Sequence, residues 1–417
     1  MRKKIGIILI LFLILTPFQV GANSKLENLN EEIKIIENKI KELREKLEKI
    51  KNQKNNFYFT TKLKKGDKGE EVRELQKFLN NNLENKIAKK GPGSLGNETF
   101  YFGELTQKAL IRFQEKHKEE ILDPWGFNKG TGIVGVTTRI KINKLLHKKE
   151  IKESSFSISS KVLKQGDSAV LKIKNSNPDE KIIVKFADKE IKFYQLNTKN
   201  EKAAFLPIGA NYTPSFYPLV IDSDKRGYYF DYLVVEESNF PQTTLKVTPE
   251  LEEKGYNPDM IQENVAKENK LLFNEVFNQE PTNFYFKDNF TNPLDKIKNV
   301  GAYGNLRVNG NIKLRHLGID LEANENKPVY SINDGVVVFA REITDYGKTI
   351  VINHGGGIHS LYLHLNEFLV KKGEEVKKGD KIALSGNTGY SIAPHLHLSI
   401  NVHGESIDPL KFLKLNI

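Results

Sequence analysis

The stretch Pro394-His395-Leu396-His397-Leu398-Ser399-Ile400 sets His395 and His397 two residues apart, with Leu396, Leu398 and Ile400 alternating between and after them. A period of two is the period of a β-strand, where residues i and i+2 face the same side of the sheet. Both imidazoles therefore enter one site while the aliphatic side chains turn the other way. The reading is a β-rich domain carrying a histidine site on one sheet face.

Working outward, the chain has only nine histidines, and six of them lie between His316 and His397. It has no cysteine. Disulfides, zinc-thiolate sites, a cysteine nucleophile and a lipid-modified cysteine anchor are thereby excluded, and any metal site must use His and carboxylates. Two further patterns accompany the first: His316-Leu317-Gly318-Ile319-Asp320 and Tyr362-Leu363-His364-Leu365. Gly318 between His316 and Asp320 argues against a helix there, so a strand-to-loop segment is expected. Two His and one carboxylate make a three-ligand zinc site with an open fourth position. Zn²⁺ beside one Asp keeps a positive charge and acts as a Lewis acid. The other two histidines, His364 and whichever of His395 and His397 is not a ligand, would then handle protons. The chemistry of the residues alone leaves open which of His395 and His397 holds the metal. There is no H-E-x-x-H, which removes the glutamate-based metalloproteases.

From Gly301 to Phe412 the text resembles the M23 family of zinc endopeptidases, of the lysostaphin/LytM type. The motifs that carry the resemblance are His316-x-Gly-Ile-Asp320, Pro328-Val-Tyr-Ser-Ile-Asn-Asp-Gly-Val-Val337, Tyr346-Gly347 and Asn353-His354-Gly355. They continue with Tyr362-Leu-His-Leu365, Lys377-Lys-Gly-Asp380, Gly386-Asn-Thr-Gly389 and His395-Leu-His397. The resemblance implies His316, Asp320 and His397 as metal ligands for Zn²⁺, and His364 and His395 as the catalytic histidines. It also implies a compact antiparallel β-rich domain with a peptide groove, acting on Gly-Gly or D-Ala-diamino-acid links of wall peptides. Tyr346, Asn387 and Thr388 are candidates for lining that groove, and Gly386 and Gly389 for a tight turn. His354, His359 and His403 read as structural, and His117 and His147, set among lysines, as surface residues.

The remainder of the 417 residues is too long for one core and reads as a multidomain α+β chain. Arg2, Lys3 and Lys4 precede an apolar run, Ile5 to Leu15, followed by Thr16-Pro17 and the small residues Val20-Gly21-Ala22. This predicts a signal peptide over 1–22, cleaved near Ala22, for a periplasmic, secreted or cell-wall associated protein that meets the membrane only in transit. The run is shorter than the roughly 20 residues of a spanning helix.

Leu26, Leu29, Ile33, Ile36, Ile40, Leu43, Leu47 and Ile50 form an a/d seam, predicting a coiled-coil helix over 25–54 that pairs with a partner or with itself. Residues 62–148 read as a small three-helix domain. Its G-x-x-G-x-x-V-x-x-L-Q, F-G-x-x-T, F-Q and G-x-V-G-x-x-T elements resemble the peptidoglycan-binding domain of wall hydrolases, with an insert from Asn80 to Thr99. Each Gly-x-x-Thr is expected to cap a helix through the Thr oxygen. Alternating runs such as Lys181–Phe186 and Tyr228–Val235 predict an immunoglobulin-like β-sandwich over 154–238. A linker with a helix follows over 239–282, and the peptidase domain over 283–417.

With 64 Lys+Arg against 53 Asp+Glu, the net charge is +11, spread through mixed Lys/Glu text rather than one tract. That argues against nucleic acid as a partner and suits general attraction to an anionic polymer or surface, while the resemblances imply peptidoglycan as the partner. Two functions are expected from this reading. One is an exported zinc endopeptidase of peptidoglycan. The other is a catalytically silent LytM-type regulator that activates another wall hydrolase.

Overall fold

The computed structural model describes residues 33–40, 42, 57–81, 83–147, 155–187, 189–196 and 200–417. The chain divides into two compact units, residues 1–58 and 59–417. In the first, residues 33–40 and 42 are helical, and the seam residues Ile33, Ile36 and Ile40 are exposed. The expected signal segment and the rest of the heptad run lie outside the described residues. Among the described residues, no helix is long and apolar enough to cross a membrane.

The second unit begins with three main helices, Glu70–Asn80, Glu104–Lys116 and Val136–Leu146, packed through Val72, Leu75, Leu79, Leu110, Phe113 and Ile142. The N-caps of the latter two are Gly103 and Gly135, in extended conformation with no side-chain cap bond, so Thr106 and Thr138 do not cap as the sequence suggested. Each Thr sits inside the first turn and accepts from a buried glutamine of the preceding helix. Gln76 Nε2 reaches Thr106 Oγ1 at 3.1 Å, and Gln114 Nε2 reaches Thr138 Oγ1 at 3.0 Å. A glutamine amide can serve several turn atoms at once, and Gln76 also holds Tyr101 O and Gln114 holds Ile133 O. His147 is buried, not at the surface: its ring lies 4.5 Å from Tyr228 and 5.3 Å from Phe230, where the helical part meets the β part. The neighbouring lysines misled the sequence reading because a helix end can turn one side chain inward while its neighbours stay in solvent.

Residues 156–236 form two sheets packed over Leu171, Ile173, Val184, Phe186, Leu206, Ile221 and Leu233. This layer is fastened to the C-terminal part. Tyr303 donates its hydroxyl to Ser406 O at 2.7 Å while accepting from Ala210 N, and Asp408 N bonds Gly166 O at 2.8 Å.

The C-terminal part is built on an antiparallel sheet with neighbours in the order Asn299–Gly301, Ile319–Glu322, His395–Val402, Ile358–Phe368, Gly347–Gly355, Gly335–Ile343 and Glu375–Val376. One face is mostly apolar: Ile319, Leu321, Ile350, Ile352, Tyr362, Leu396, Leu398, Ile400 and Val402 are buried in one core with Phe286, Phe290 and Phe412, and its polar members His354 and Ser360 bond each other. The alternation that filled this face necessarily sends His395 and His397 to the opposite one.

The stretch read as a linker is packed rather than loose. Gln242–Thr244 pairs in parallel with Leu306–Val308, and helices Pro249–Glu253 and Pro258–Leu272 follow. Leu245, Leu251, Ile261, Leu272 and Val276 are each at most 3% exposed. Leu272 and Val276 rest on Phe339, Val351, Leu361 and Leu363, on the same sheet face as the histidines.

Candidate metal centre and catalytic groove

Asp320 and His397 are direct partners across the antiparallel strands Ile319–Glu322 and His395–Val402, so their side chains rise together from one face. His316 arrives from the loop just before. Gly318 makes this approach feasible: a Cβ there would stand 2.3 Å from His397 Nε2 and 2.4 Å from Ser399 Oγ. His316 Nε2, Asp320 Oδ1 and His397 Nδ1 then form a near-equilateral triangle with sides of 3.0, 3.0 and 2.9 Å.

The outward nitrogens decide what these atoms are. His316 Nδ1 lies 2.9 Å from the carbonyl of Ala302, which can only accept, so Nδ1 carries the proton and Nε2 a lone pair. His397 Nε2 lies 2.8 Å from Ser399 Oγ, whose own proton goes to Leu317 O at 3.0 Å. Nε2 therefore carries the proton, and Nδ1 a lone pair. Three lone-pair atoms thus point at one another, which repels unless something positive lies among them. Donor type, tautomers and spacing all fit a divalent cation held by two imidazoles and a carboxylate, with outer hydrogen bonds orienting both rings.

Burial opposes ionisation of Asp320, but its carboxyl is held well below the usual range, with His395 Nε2 among the groups that lower it. Arg307, which the sequence reading did not single out, donates to the second oxygen of Asp320 at 2.9 Å. Burial pushes His397 down to about 4, so it stays a neutral ligand near pH 7.

His364 and His395 stand beside the triangle, with ring centroids 4.8 Å apart. His364 Nδ1 is 2.8 Å from Thr388 O, and His395 Nδ1 is 2.8 Å from Ala393 O. Both rings therefore carry the proton on Nδ1 and keep Nε2 for the groove; His395 Nε2 is 3.5 Å from Asp320 Oδ1. Burial drives His364 well below the ordinary imidazole range, while for His395 the contact with Asp320 overcomes burial and raises it. The two imidazoles thus differ in proton affinity, as a base and an acid acting on one reaction require.

Alternation alone would send His364 into the core, since Tyr362 faces it and Leu363 lies opposite His397. A register shift between Lys348↔Leu365 and Ile350↔Tyr362 inserts one extra residue, and His364 takes φ +60°. The bulge turns His364 onto the site face.

All five side chains the sequence indicated, His316, Asp320, His364, His395 and His397, line one cavity of about 890 Å³ together with Arg307, Tyr346 and Tyr390. Thr388 serves through its carbonyl, and Asn387 lies outside the lining. His354 is fully buried and held at 2.8 Å by both Asp334 O and Ser360 Oγ, as a structural histidine would be. Ser399 was not singled out, although its place two residues beyond His397 on the same strand face was a signal that could have found it. Arg307 carried no comparable signal.

Residues 314–409 match the model of peptidase family M23. A stretch of 96 residues is 44% identical to the peptidoglycan DD-endopeptidase ShyA of Vibrio cholerae, covering 23% of this chain and 22% of that protein. A stretch of 130 residues is 40% identical to the glycyl-glycine endopeptidase ALE-1 of Staphylococcus capitis, covering 29% of this chain and 35% of that one. The chain thus spans between about a fifth and a third of the length of these relatives. The catalytic domain of lysostaphin from Staphylococcus simulans superposes with a TM-score of 0.27 at 34% identity, over 28% of this chain and 93% of that one.

Proposed function

Taking residues 314–409 as a peptidase domain of family M23, we propose that this chain is a zinc-dependent endopeptidase that hydrolyses peptide links of bacterial peptidoglycan. The observation that carries the proposal is the triangle of His316 Nε2, Asp320 Oδ1 and His397 Nδ1, with both imidazole tautomers set by outer hydrogen bonds. Zinc held there by His316, Asp320 and His397 would supply Lewis acidity.

The chain's own residues do the rest. His364 Nε2, kept unprotonated by burial, takes a proton from the attacking water. His395 Nε2 holds a proton more readily and delivers it to the leaving amine or hydrogen-bonds the developing oxyanion. Arg307 donates to the second oxygen of Asp320 and so orients the carboxylate that would hold the metal. Thr388 O and Ala393 O keep both catalytic rings in the tautomer that presents Nε2.

Export follows from the basic and apolar residues 2–15, and residues 62–148 would hold the enzyme on its polymer. The silent-regulator reading is favoured by no observation, since every position of the constellation is filled.

The test incubates the full chain and a His397→Ala variant with sacculi of several cross-link types, with and without a chelator. Released fragments are identified by mass spectrometry. Chelator-sensitive cleavage absent from His397→Ala is the expected result, and the new peptide ends name the bond. No cleavage of any wall peptide, with no zinc retained, would overturn the proposal.

A further inference from the structure

The metal centre is poorly reachable for a polymer. The side chains of His316, Asp320, His395 and His397 are only 5, 14, 16 and 10% exposed. Their cover comes from the chain itself. Thr243, Leu245, Ile261, Val265, Asn269 and Leu272 line the same cavity as the five site residues.

This covering segment is tied to both banks of the groove. On one bank, Gln242–Thr244 adds a strand beside Leu306–Val308, and Leu245 N bonds Val308 O at 2.9 Å. On the other, Tyr256 donates its hydroxyl to Thr344 O at 3.0 Å, and Tyr390, whose N–H bonds Asp345 O at 2.8 Å, donates its hydroxyl to Lys246 O at 2.6 Å. Glu268 accepts from the backbone N–H groups of Asp345 and Tyr346 at 2.8 and 3.1 Å, and Asn264 Nδ2 donates to Asp345 Oδ1 at 2.9 Å. A segment anchored on Val308 and on Asp345 has to pass over what lies between them.

We infer that residues 242–277 are a roof over the catalytic groove, which admits short soluble peptides and has to lift off the Thr344–Tyr346 bank before cross-linked polymer can enter. The inference rests on the proposed peptidoglycan activity. A volume of about 890 Å³ suits a short peptide. A cross-linked wall peptide instead continues at both ends into glycan strands, so its cleavage needs a groove open along its length.

The two banks differ in kind. The Val308 bank is a backbone ladder closed by Leu245, which is 1% exposed. The Asp345 bank is held by side chains: Ile261 and Leu272 are as deeply buried, and Tyr346 donates its hydroxyl to Asn269 Oδ1 at 2.7 Å. It also brings two carboxylates together, Glu268 and Asp345, and Asp345 Oδ2 is buried without a hydrogen-bond partner, which weakens that contact. These side-chain contacts are the ones that have to open for the helix Pro258–Leu272 to lift.

The test compares two substrates, a soluble cross-linked peptide dimer freed of glycan and intact sacculi, using the full zinc-loaded chain. One variant loosens the weak bank (Tyr256→Phe, Asn264→Ala, Glu268→Ala), with hydrogen exchange over 258–272 confirming the loosening. A second, Asn264→Cys with Asp345→Cys, locks it reversibly, in a chain with no cysteine of its own.

The expected result is that the intact chain cuts the dimer at least tenfold faster per bond than sacculi. Loosening should raise sacculus cleavage at least tenfold and leave the dimer rate within about twofold. The oxidised lock should abolish sacculus cleavage, and a reductant should restore it. Equal rates on both substrates for the intact chain, or a ratio unmoved by a demonstrated loosening, would overturn the roof. Failure of every form to cut either substrate would instead sink the peptidoglycan reading itself.

Discussion

Asp320 and His397 face each other across two antiparallel strands, with Oδ1 and Nδ1 2.9 Å apart and no hydrogen available on either atom in the neutral-imidazole state. Such a pair, closed into a triangle by His316 Nε2, is arranged for a cation and is repulsive without one.

Metal removal should therefore cost stability as well as activity. A ligand bound to the folded state alone at a thousand times its dissociation constant adds about 4 kcal/mol. A chelator should lower the Tm of the wild-type chain by several degrees and leave a His397→Ala chain unmoved. Equal chelator shifts in both would show that the metal is held elsewhere.

Ser399→Ala removes the acceptor that keeps the His397 proton on Nε2. Ser399 is not itself one of the three proposed ligands, yet zinc affinity should fall about 10- to 100-fold, measured by competition with a chromogenic chelator. Folding should change by about 1 kcal/mol, the range of one hydrogen bond. Unchanged affinity would mean that the tautomer is not set through Ser399.

His364→Ala and His395→Ala should each lower kcat by about 10²–10⁴-fold while bound zinc stays at one per chain. Zinc analysis run beside the kinetics separates this from removal of a ligand. If either variant loses zinc in proportion to activity, its histidine belongs among the ligands.

The contact between Glu268 and the Asp345–Tyr346 turn should weaken as pH rises. Burial pushes Glu268 up to about 7 from 4.5, and Asp345 up to about 6 from 3.8. The folded state binds these protons more tightly than the unfolded one, so the stabilisation is complete at low pH and is lost as pH climbs through the folded values. For Glu268 the loss reaches up to about 3 kcal/mol between about pH 5 and 8. Hydrogen-exchange protection over 258–272, corrected for intrinsic exchange, should fall accordingly. Glu268→Gln should flatten the trend at a constant cost, because an amide NH₂ cannot accept the second backbone N–H. A slope unaltered by Glu268→Gln would assign it to other groups.

Much of the centre could be read before any coordinates. His395 and His397 shared a face because a strand has a period of two. The absence of cysteine limited the donors to imidazole and carboxylate. Gly318 pointed away from a helix, and the structure shows that a side chain there would collide with His397 and Ser399. Assigning Nδ1 of His397 rather than a nitrogen of His395 to the triangle was beyond local pattern; only the resemblance implied it. The helical region was legible as helices, but its threonines were misassigned as caps because their glutamine partners lie 30 and 24 residues away.

By itself, then, the sequence determined the chemistry of the site: which residue types are present, which strand carries two of them and which face they share. These follow from local periodicity, which needs no partner strand. Tertiary structure alone decided the rest. His364 reaches the site because an extra residue in its strand, measured against Gly347–Gly355, reverses its side. Arg307 reaches Asp320 from a separate hairpin, and the expected linker becomes a roof by bonding to Val308 and Asp345. Such outcomes depend on the pairing of distant segments, whose register is set by the packing of the whole sheet and is written in no local window.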